Sequence, residues 1–269
     1  MRFERIFLNP NDERVFIDAY VADDPKARDA ILVIPGGGYH NVCTDREGEP
    51  IALEFFSRGY NAFVLGYRVG KSEDKYPDQL IDAGSAMIYI KENAEALRIN
   101  PERVFATGFS AGGHLCGCLA TMFDYPEVKE AFGDKNRMIK PKGAILSYPV
   151  TIARQKTHVG SFNNLLKKPL EDYTEAEIKK FSLDTAVTPE SSPMFIWHTV
   201  EDKVVPVEGS LRLGLALTAA NVPYRLSIYP YGPHGLALSN EITANSNPAY
   251  IQPIAEDWCE QADEWMKTL

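Results

Sequence analysis

Cysteine is scarce in this chain. Four thiols, Cys43, Cys116, Cys118 and Cys259, are spread over 269 residues. None forms a C-x-x-C pair or a zinc-ligand spacing, so neither a structural metal nor a redox disulfide is expected. Cys116 and Cys118 lie two apart in a predicted helix and face different directions. All four read as buried free thiols. Positive charge is also short, with 28 basic residues against 37 acidic ones and a net charge of -9. Phosphate contacts need clustered Lys and Arg, and no such cluster exists, so a nucleic-acid partner is not expected. A surface of this sign suits neutral substrates better than acidic ones. Long apolar runs are missing too: nothing approaches the roughly 20 residues of a membrane span. The opening MRFERIFLNP lacks the apolar run of a signal peptide. The expectation is a cytoplasmic protein in a reducing compartment, away from the membrane. Neither G-x-x-x-x-G-K-[ST] nor G-x-G-x-x-G occurs, so no nucleotide cofactor is expected.

What the chain does have is a globular composition, 45% hydrophobic and 24% charged. Residues 14–22 (RVFIDAYVA) read as an early strand. Ala30–Ile34 (AILVI) is a short, wholly apolar run of the kind found in strands covered on both faces. A helix is expected over Ile51–Arg58 and a strand over Ala62–Leu65. A long helix should follow from Pro77 to about Ile99, stopped by Asn100-Pro101. Then come a strand at Val104–Thr107, a helix over Ser110–Met122 and a buried strand at Gly143–Ser147. Another strand spans Pro193–Thr199, followed by a helix over about Val207–Ala220, a strand at Tyr224–Tyr229 and a closing helix from Trp258. Strands alternating with helices predict an α/β class protein, a mostly parallel sheet flanked by helices on both faces. Residues 71–76 read as a charged loop. Residues 151–192 read as a polar insert with a capping box at Thr174-x-x-Glu177. One domain over 1–269 with that small insert is the simplest organisation.

The chemistry centres on Gly108-Phe109-Ser110-Ala111-Gly112. G-x-S-x-G is a weak signal alone, but here an apolar strand precedes it and a helix follows. That context is the strand–turn–helix in which a strained turn lifts a serine hydroxyl above the sheet, as in the α/β-hydrolase fold. Ser110 is therefore the candidate nucleophile, and a plain helix cap is the other reading. Serine needs a base, and the base an orienting acid. In this fold they follow in the order serine, acid, histidine. Of His40, His114, His158, His198 and His234, only His234 follows the expected acid, in the turn Tyr231-Gly232-Pro233-His234-Gly235 after the last strand. The acid should follow the PMFIWHT strand, where Glu201 and Asp202 both stand. Asp202 is favoured because it lies deeper in the loop, ahead of Val204-Val205-Pro206. His198, on the strand itself, reads as a core or sub-surface histidine.

Acyl transfer builds negative charge on the substrate carbonyl oxygen, which needs backbone N–H donors already in place. Ala111, directly after the serine, is one candidate. The loop Pro35-Gly36-Gly37-Gly38-Tyr39 after AILVI supplies the others, with Gly37 and Gly38 chosen as donors. Tyr39 and His40 are expected to line the substrate pocket.

These motifs carry a family resemblance. PGGGY, YPDQLIDAGSAMIYIKENAEAL, INPERVFATGFSAGGHL, VTPESSPMFIWHTVEDKVVPVEGSL and YPYGPHGLAL run from about residue 31 to 238. Together they resemble the bacterial esterase/lipase branch of the α/β-hydrolases that includes carbohydrate acetyl esterases, some of them labelled acetylxylan esterase or xylanase-like. The related lipases carry HGGG; Pro35 stands in place of that histidine here, as in the sugar-esterase branch. The resemblance implies cofactor-free hydrolysis of small acyl esters, such as acetyl groups on sugars or xylo-oligosaccharides, through Ser110, Asp202 and His234. Glycosidase chemistry needs two carboxylates flanking the bond, which a serine triad does not supply. Two other readings are open. Prolyl-oligopeptidase-like peptidases share the D-x-x-V-P and late-histidine layout but carry a large extra domain. A non-catalytic binding module would have lost one of the three residues.

Overall fold

The apolar runs pair into one sheet of eight strands in the order β1-β2-β4-β3-β5-β6-β7-β8. The strands are β1 (Arg2–Phe7), β2 (Phe16–Val21), β3 (Arg28–Ile34), β4 (Asn61–Gly66), β5 (Ile99–Phe109), β6 (Ala144–Ser147), β7 (Met194–Thr199) and β8 (Tyr224–Tyr229). β1 and β2 join antiparallel at one edge; every pairing from β4 to β8 is parallel. The computed structural model describes residues 1–154 and 157–269, so positions 155 and 156 of the expected insert lie outside the described residues.

Parallel strands must be linked by crossovers, and helices cover both faces. The helices are α1 (Thr44–Glu47), α2 (Glu49–Ser57), α3 (Asp78–Glu92), α4 (Ala111–Thr121), α5 (Pro126–Phe132), α6 (Val159–Leu166), α7 (Glu175–Phe181), α8 (Leu183–Ala186), α9 (Glu208–Ala219) and α10 (Trp258–Met266). The two-residue alternation of a strand explains why AILVI is wholly apolar. Ala30, Leu32 and Ile34 enter one core with Leu80, Met87, Leu115 and Leu213, from α3, α4 and α9. Ile31 and Val33 enter the opposite core with Ile51, Phe55, Trp258 and Met266, from α2 and α10. Among the described residues no helix is long and apolar enough to cross a membrane.

The fold departs from the sequence expectation in three places. β1 was not anticipated: it lies on the sheet edge with Phe3 and Phe7 exposed, so it shows no buried stripe. The long helix ends at Glu92, not near Ile99. Ile99, Asn100 and Pro101 begin β5, where a proline at the start of a strand forfeits no ladder bond that the sheet needs. The segment Pro126–Ile139, unassigned from sequence, forms α5 and a 3₁₀ turn. The capping box formed as expected, with Thr174 and Glu177 satisfying each other at the start of α7.

Five adjacent strand ends, those of β3, β5, β6, β7 and β8, open on the same edge of the sheet. Ligand crevices in open α/β sheets form at such carboxyl ends. The segments that leave them are the glycine loop, Ser110, Tyr148, Asp202 and the His234 turn.

Candidate active site

Ser110 joins β5 to α4 with φ 55° and ψ -119°, a backbone that L-residues rarely adopt. Both flanking glycines are required by close approach. A Cβ on Gly108 would sit 2.2 Å from the Gly112 carbonyl oxygen, and one on Gly112 would sit 2.2 Å from that of Ile34. The Ser110 N–H donates to the Ser147 carbonyl at 3.0 Å, and its own carbonyl accepts from His114 and Val150. The turn is thereby pinned to the end of β6, to the segment that follows it and to the first turn of α4.

Ser110 Oγ lies 2.8 Å from His234 Nε2, and His234 Nδ1 lies 2.6 Å from Asp202 Oδ2. Asp202 is buried, and its Oδ1 accepts the N–H groups of Val204 and Val205 at 2.9 and 2.8 Å. Burial alone would raise the Asp202 pKa. Hydrogen bonds from His198 and His234 outweigh it and hold the carboxyl well below the usual carboxylate range. A carboxylate facing Nδ1 fixes the proton there and leaves Nε2 free to accept from the serine. Glu201, the other candidate acid, points outward and accepts the Gly232 N–H at 3.2 Å, two residues before His234.

The glycine loop lies beside Ser110. The Gly36 N–H is bound to the Glu47 carboxylate at 2.8 Å. Gly37 and Gly38 take φ of 125° and 64°, and among the described residues their N–H groups find no protein acceptor. Ala111 opens α4, so its N–H has no partner within the helix and points along the positive end of the helix dipole. Gly37, Gly38 and Ala111 therefore all remain available as donors to a ligand oxygen.

A cleft of about 400 Å³ opens over Ser110 and His234, walled by His40, Asn41, Cys43, Arg46, His158, Asn164, Val204 and Tyr250. His40 lines it as expected. Tyr39 does not. Its backbone turns at φ 56°, its ring goes inward, and its hydroxyl bonds to His114 Nδ1 at 2.8 Å, leaving the residue 1% exposed. His114 Nε2 donates to the Phe181 carbonyl at 2.8 Å, and burial holds this histidine near pKa 4, hence neutral. Cys43 departs from the buried-thiol expectation: it is half-buried and faces the cleft. The 151–192 segment contributes His158 and Asn164, the latter donating to the Gly38 carbonyl at 2.9 Å. Among the described residues no group of three or more His, Cys, Asp or Glu side chains could hold a metal ion.

The BD-FAE family model matches residues 17–217, which include Ser110, Asp202 and the glycine loop. The chain belongs to the BD-FAE family. Its fold is that of the α/β-hydrolases. This BD-FAE member is 40% identical over 230 residues to endo-1,4-beta-xylanase B of Butyrivibrio fibrisolvens, across 83% of this chain and 35% of that protein. It is 29% identical to an acetylxylan esterase of Xylanibacter ruminicola, across 86% of this chain and 46% of that one. The chain thus spans between a third and a half of the length of these curated relatives. A solved acetyl ester-xyloside bifunctional hydrolase of Caldicellulosiruptor lactoaceticus superposes with a TM-score of 0.84 at 31% identity, across 99% of this chain and 96% of that one. Carboxylic ester hydrolases therefore share both fold and ancestry with this BD-FAE member.

The supporting roles of His198, Glu47 and Tyr148 were not read from sequence. His198 is fully buried. Its Nε2 reaches Asp202 Oδ2 at 3.1 Å and the Val205 carbonyl at 2.9 Å, and its Nδ1 meets Ser210 Oγ at 2.8 Å. It is the core histidine expected, yet it backs the acid. Glu47 is buried against the glycine loop, and burial pushes its carboxyl up against opposing hydrogen bonds from Tyr148 and Gly36. The Tyr148 ring packs edge-on against His234 at 5.1 Å. The i to i+4 spacing of His198 and Asp202 was the one local signal available; Glu47 and Tyr148 are 101 residues apart.

Proposed function

We propose that the chain is a serine carboxylesterase that removes short acyl groups, acetyl foremost, from neutral carbohydrates such as xylo-oligosaccharides. The observation that carries this reading is the pair of contacts Ser110 Oγ to His234 Nε2 at 2.8 Å and His234 Nδ1 to Asp202 at 2.6 Å. Ser110 Oγ attacks the ester carbonyl carbon while His234 Nε2 takes its proton, and Asp202 stabilises the imidazolium. The carbonyl oxygen gains the electron pair and sits against the N–H groups of Gly37, Gly38 and Ala111, preorganised donors of the kind that contribute most to such reactions. Collapse breaks the bond to the alcohol oxygen, which leaves with the proton from His234. Water then attacks the acyl-Ser110, giving its proton to His234, and a second collapse releases acetate and restores the serine.

The substrate class rests on the acetyl esterases among the relatives and on the walls of the cleft. His40, Asn41, Arg46, His158 and Asn164 offer polar groups, and Tyr250 a ring face, to an alcohol moiety rich in hydroxyls. The test compares kcat/KM on acetyl, butyryl and octanoyl esters with acetate release from acetylated xylo-oligosaccharides, in wild type and Ser110→Ala. Acetyl preference, acetate release and loss of activity by several powers of ten in the variant are expected. A strong octanoyl preference, or no acetate from any acetylated sugar, rejects the carbohydrate assignment. Normal turnover by folded Ser110→Ala rejects the serine mechanism.

A further inference from the structure

Glu47 and Tyr148 occupy an unusual place for groups that touch neither the serine hydroxyl nor the acid. Glu47 is 6% exposed, and a carboxyl taken out of water is costly unless its oxygens are well used. Both are spent on the loops that carry the chemistry. Oε2 accepts the Gly36 N–H at 2.8 Å, directly ahead of Gly37 and Gly38. Oε1 accepts the Tyr148 hydroxyl at 2.8 Å, and that same hydroxyl accepts the Ala237 N–H at 3.0 Å, three residues beyond His234. The Tyr148 N–H is held by the Trp197 carbonyl at 2.8 Å, so the phenol stands on the ends of β6 and β7. Next to Glu47, Arg46 donates to the carbonyls of Gly235 and Thr243, both at 2.6 Å, and so holds the far side of the histidine turn. Clearance at the glycine loop is small: a Cβ on Gly36 would lie 2.7 Å from Glu47 Oε2 and 3.0 Å from Ser110 Cβ. Position 36 therefore has no room for a side chain, and the loop backbone is held to the carboxylate through the Gly36 N–H.

We propose that Glu47 and Tyr148 form one positioning brace, which locks the glycine loop to the histidine turn through Gly36 and Ala237 and so keeps the oxyanion donors and His234 in register. The inference rests on the serine-esterase reading above. Oxyanion donors contribute fully only when aimed at where the charge develops, and a misplacement of about 1 Å costs on the order of 10²-fold. The brace acts on the transition state more than on substrate binding, because Glu47 and Tyr148 spend their polar atoms on the protein.

The test uses Tyr148→Phe, which deletes one oxygen and keeps the ring on His234, with Glu47→Gln and the double variant. Each is titrated with a fluorophosphonate that labels the active serine, so that kcat is expressed per functional site on a short acetyl ester. Each single variant is expected to lose kcat by about 10- to 100-fold with KM held within about threefold. The double variant should be no worse than the poorer single, as for residues of one network. Unchanged kcat per titrated serine with a lowered melting temperature would overturn the inference, as would losses that simply multiply. If Glu47→Gln does not fold, Tyr148→Phe decides by the same kcat criterion. Failure of wild type to be labelled at Ser110 would instead bring down the esterase reading itself.

Discussion

Ser110→Gly is expected to give a more stable protein than Ser110→Ala, although both lose the hydroxyl. The residue sits at φ 55° and ψ -119°. Holding a side-chain-bearing residue in so sparsely populated a region costs on the order of 1–3 kcal/mol. Alanine keeps the Cβ and therefore the strain. Glycine, with no Cβ, removes it. Against this, glycine loses more backbone entropy on folding than alanine, roughly 0.5–1 kcal/mol. The difference leaves glycine ahead by about 1 kcal/mol, with a range from near zero to about 2.5. For a chain of this size 1 kcal/mol corresponds to roughly 2–4 °C in melting temperature. Calorimetry on the two variants, neither of which turns over substrate, measures the difference with no contribution from bound acyl groups. A glycine variant that melts below the alanine variant would refute the claim that the serine turn stores strain.

Asp202→Asn should lose far more activity than Glu201→Gln, since only Asp202 meets His234 while Glu201 staples Gly232; the reverse ranking in kcat/KM would move the acid. Because Asp202 is held well below the usual carboxylate range, its charge contributes stability above the unfolded value of about 3.9, which is lost only as pH falls through the lower folded value. His234→Ala should be inactive on short esters while remaining folded, and near-normal kcat/KM in that variant contradicts its role as base. His114, buried and near pKa 4 against an unfolded value of about 6.5, works in the same direction. The unfolded chain takes the proton first, so stability should fall by on the order of 3 kcal/mol as pH drops from about 6.5 to about 4. Urea midpoints across that window should slope less in His114→Gln, and an equal slope would show that the histidine does not titrate on unfolding.

Local chemistry made much of this molecule readable. AILVI announced a doubly covered strand because Ile31 and Val33 face one core while Leu32 and Ile34 face the other. Gly108 and Gly112 announced the serine turn because neither position has room for a Cβ. The strand-end positions of Asp202 and His234 follow from chain order alone. What stayed hidden depends on contacts between distant segments. β1 has no buried face to pattern, since it is held to the sheet by ladder bonds with β2. Tyr39 follows three glycines whose conformation decides which way its ring turns, and the partner that draws it inward, His114, is 75 residues away. Glu47 sits in an unremarkable charged stretch, TDREGE, and acquires its surroundings only when β6 brings Tyr148 alongside.

The placement of the indoles gives the molecule an optical property. Its three tryptophans, Trp197, Trp258 and Trp265, all lie in the core on the α10 side of the sheet. Trp197 and Trp258 stack at 5.3 Å, the Tyr148 ring meets Trp197 at 5.1 Å, and the Trp258 Nε1–H donates to the Ala237 carbonyl at 2.8 Å. Trp258 thus bonds directly to the segment that follows His234, and Trp197 stacks on Trp258. Indole emission is therefore a label-free report on the packing of the segment that follows His234, through the bond from Trp258 to Ala237.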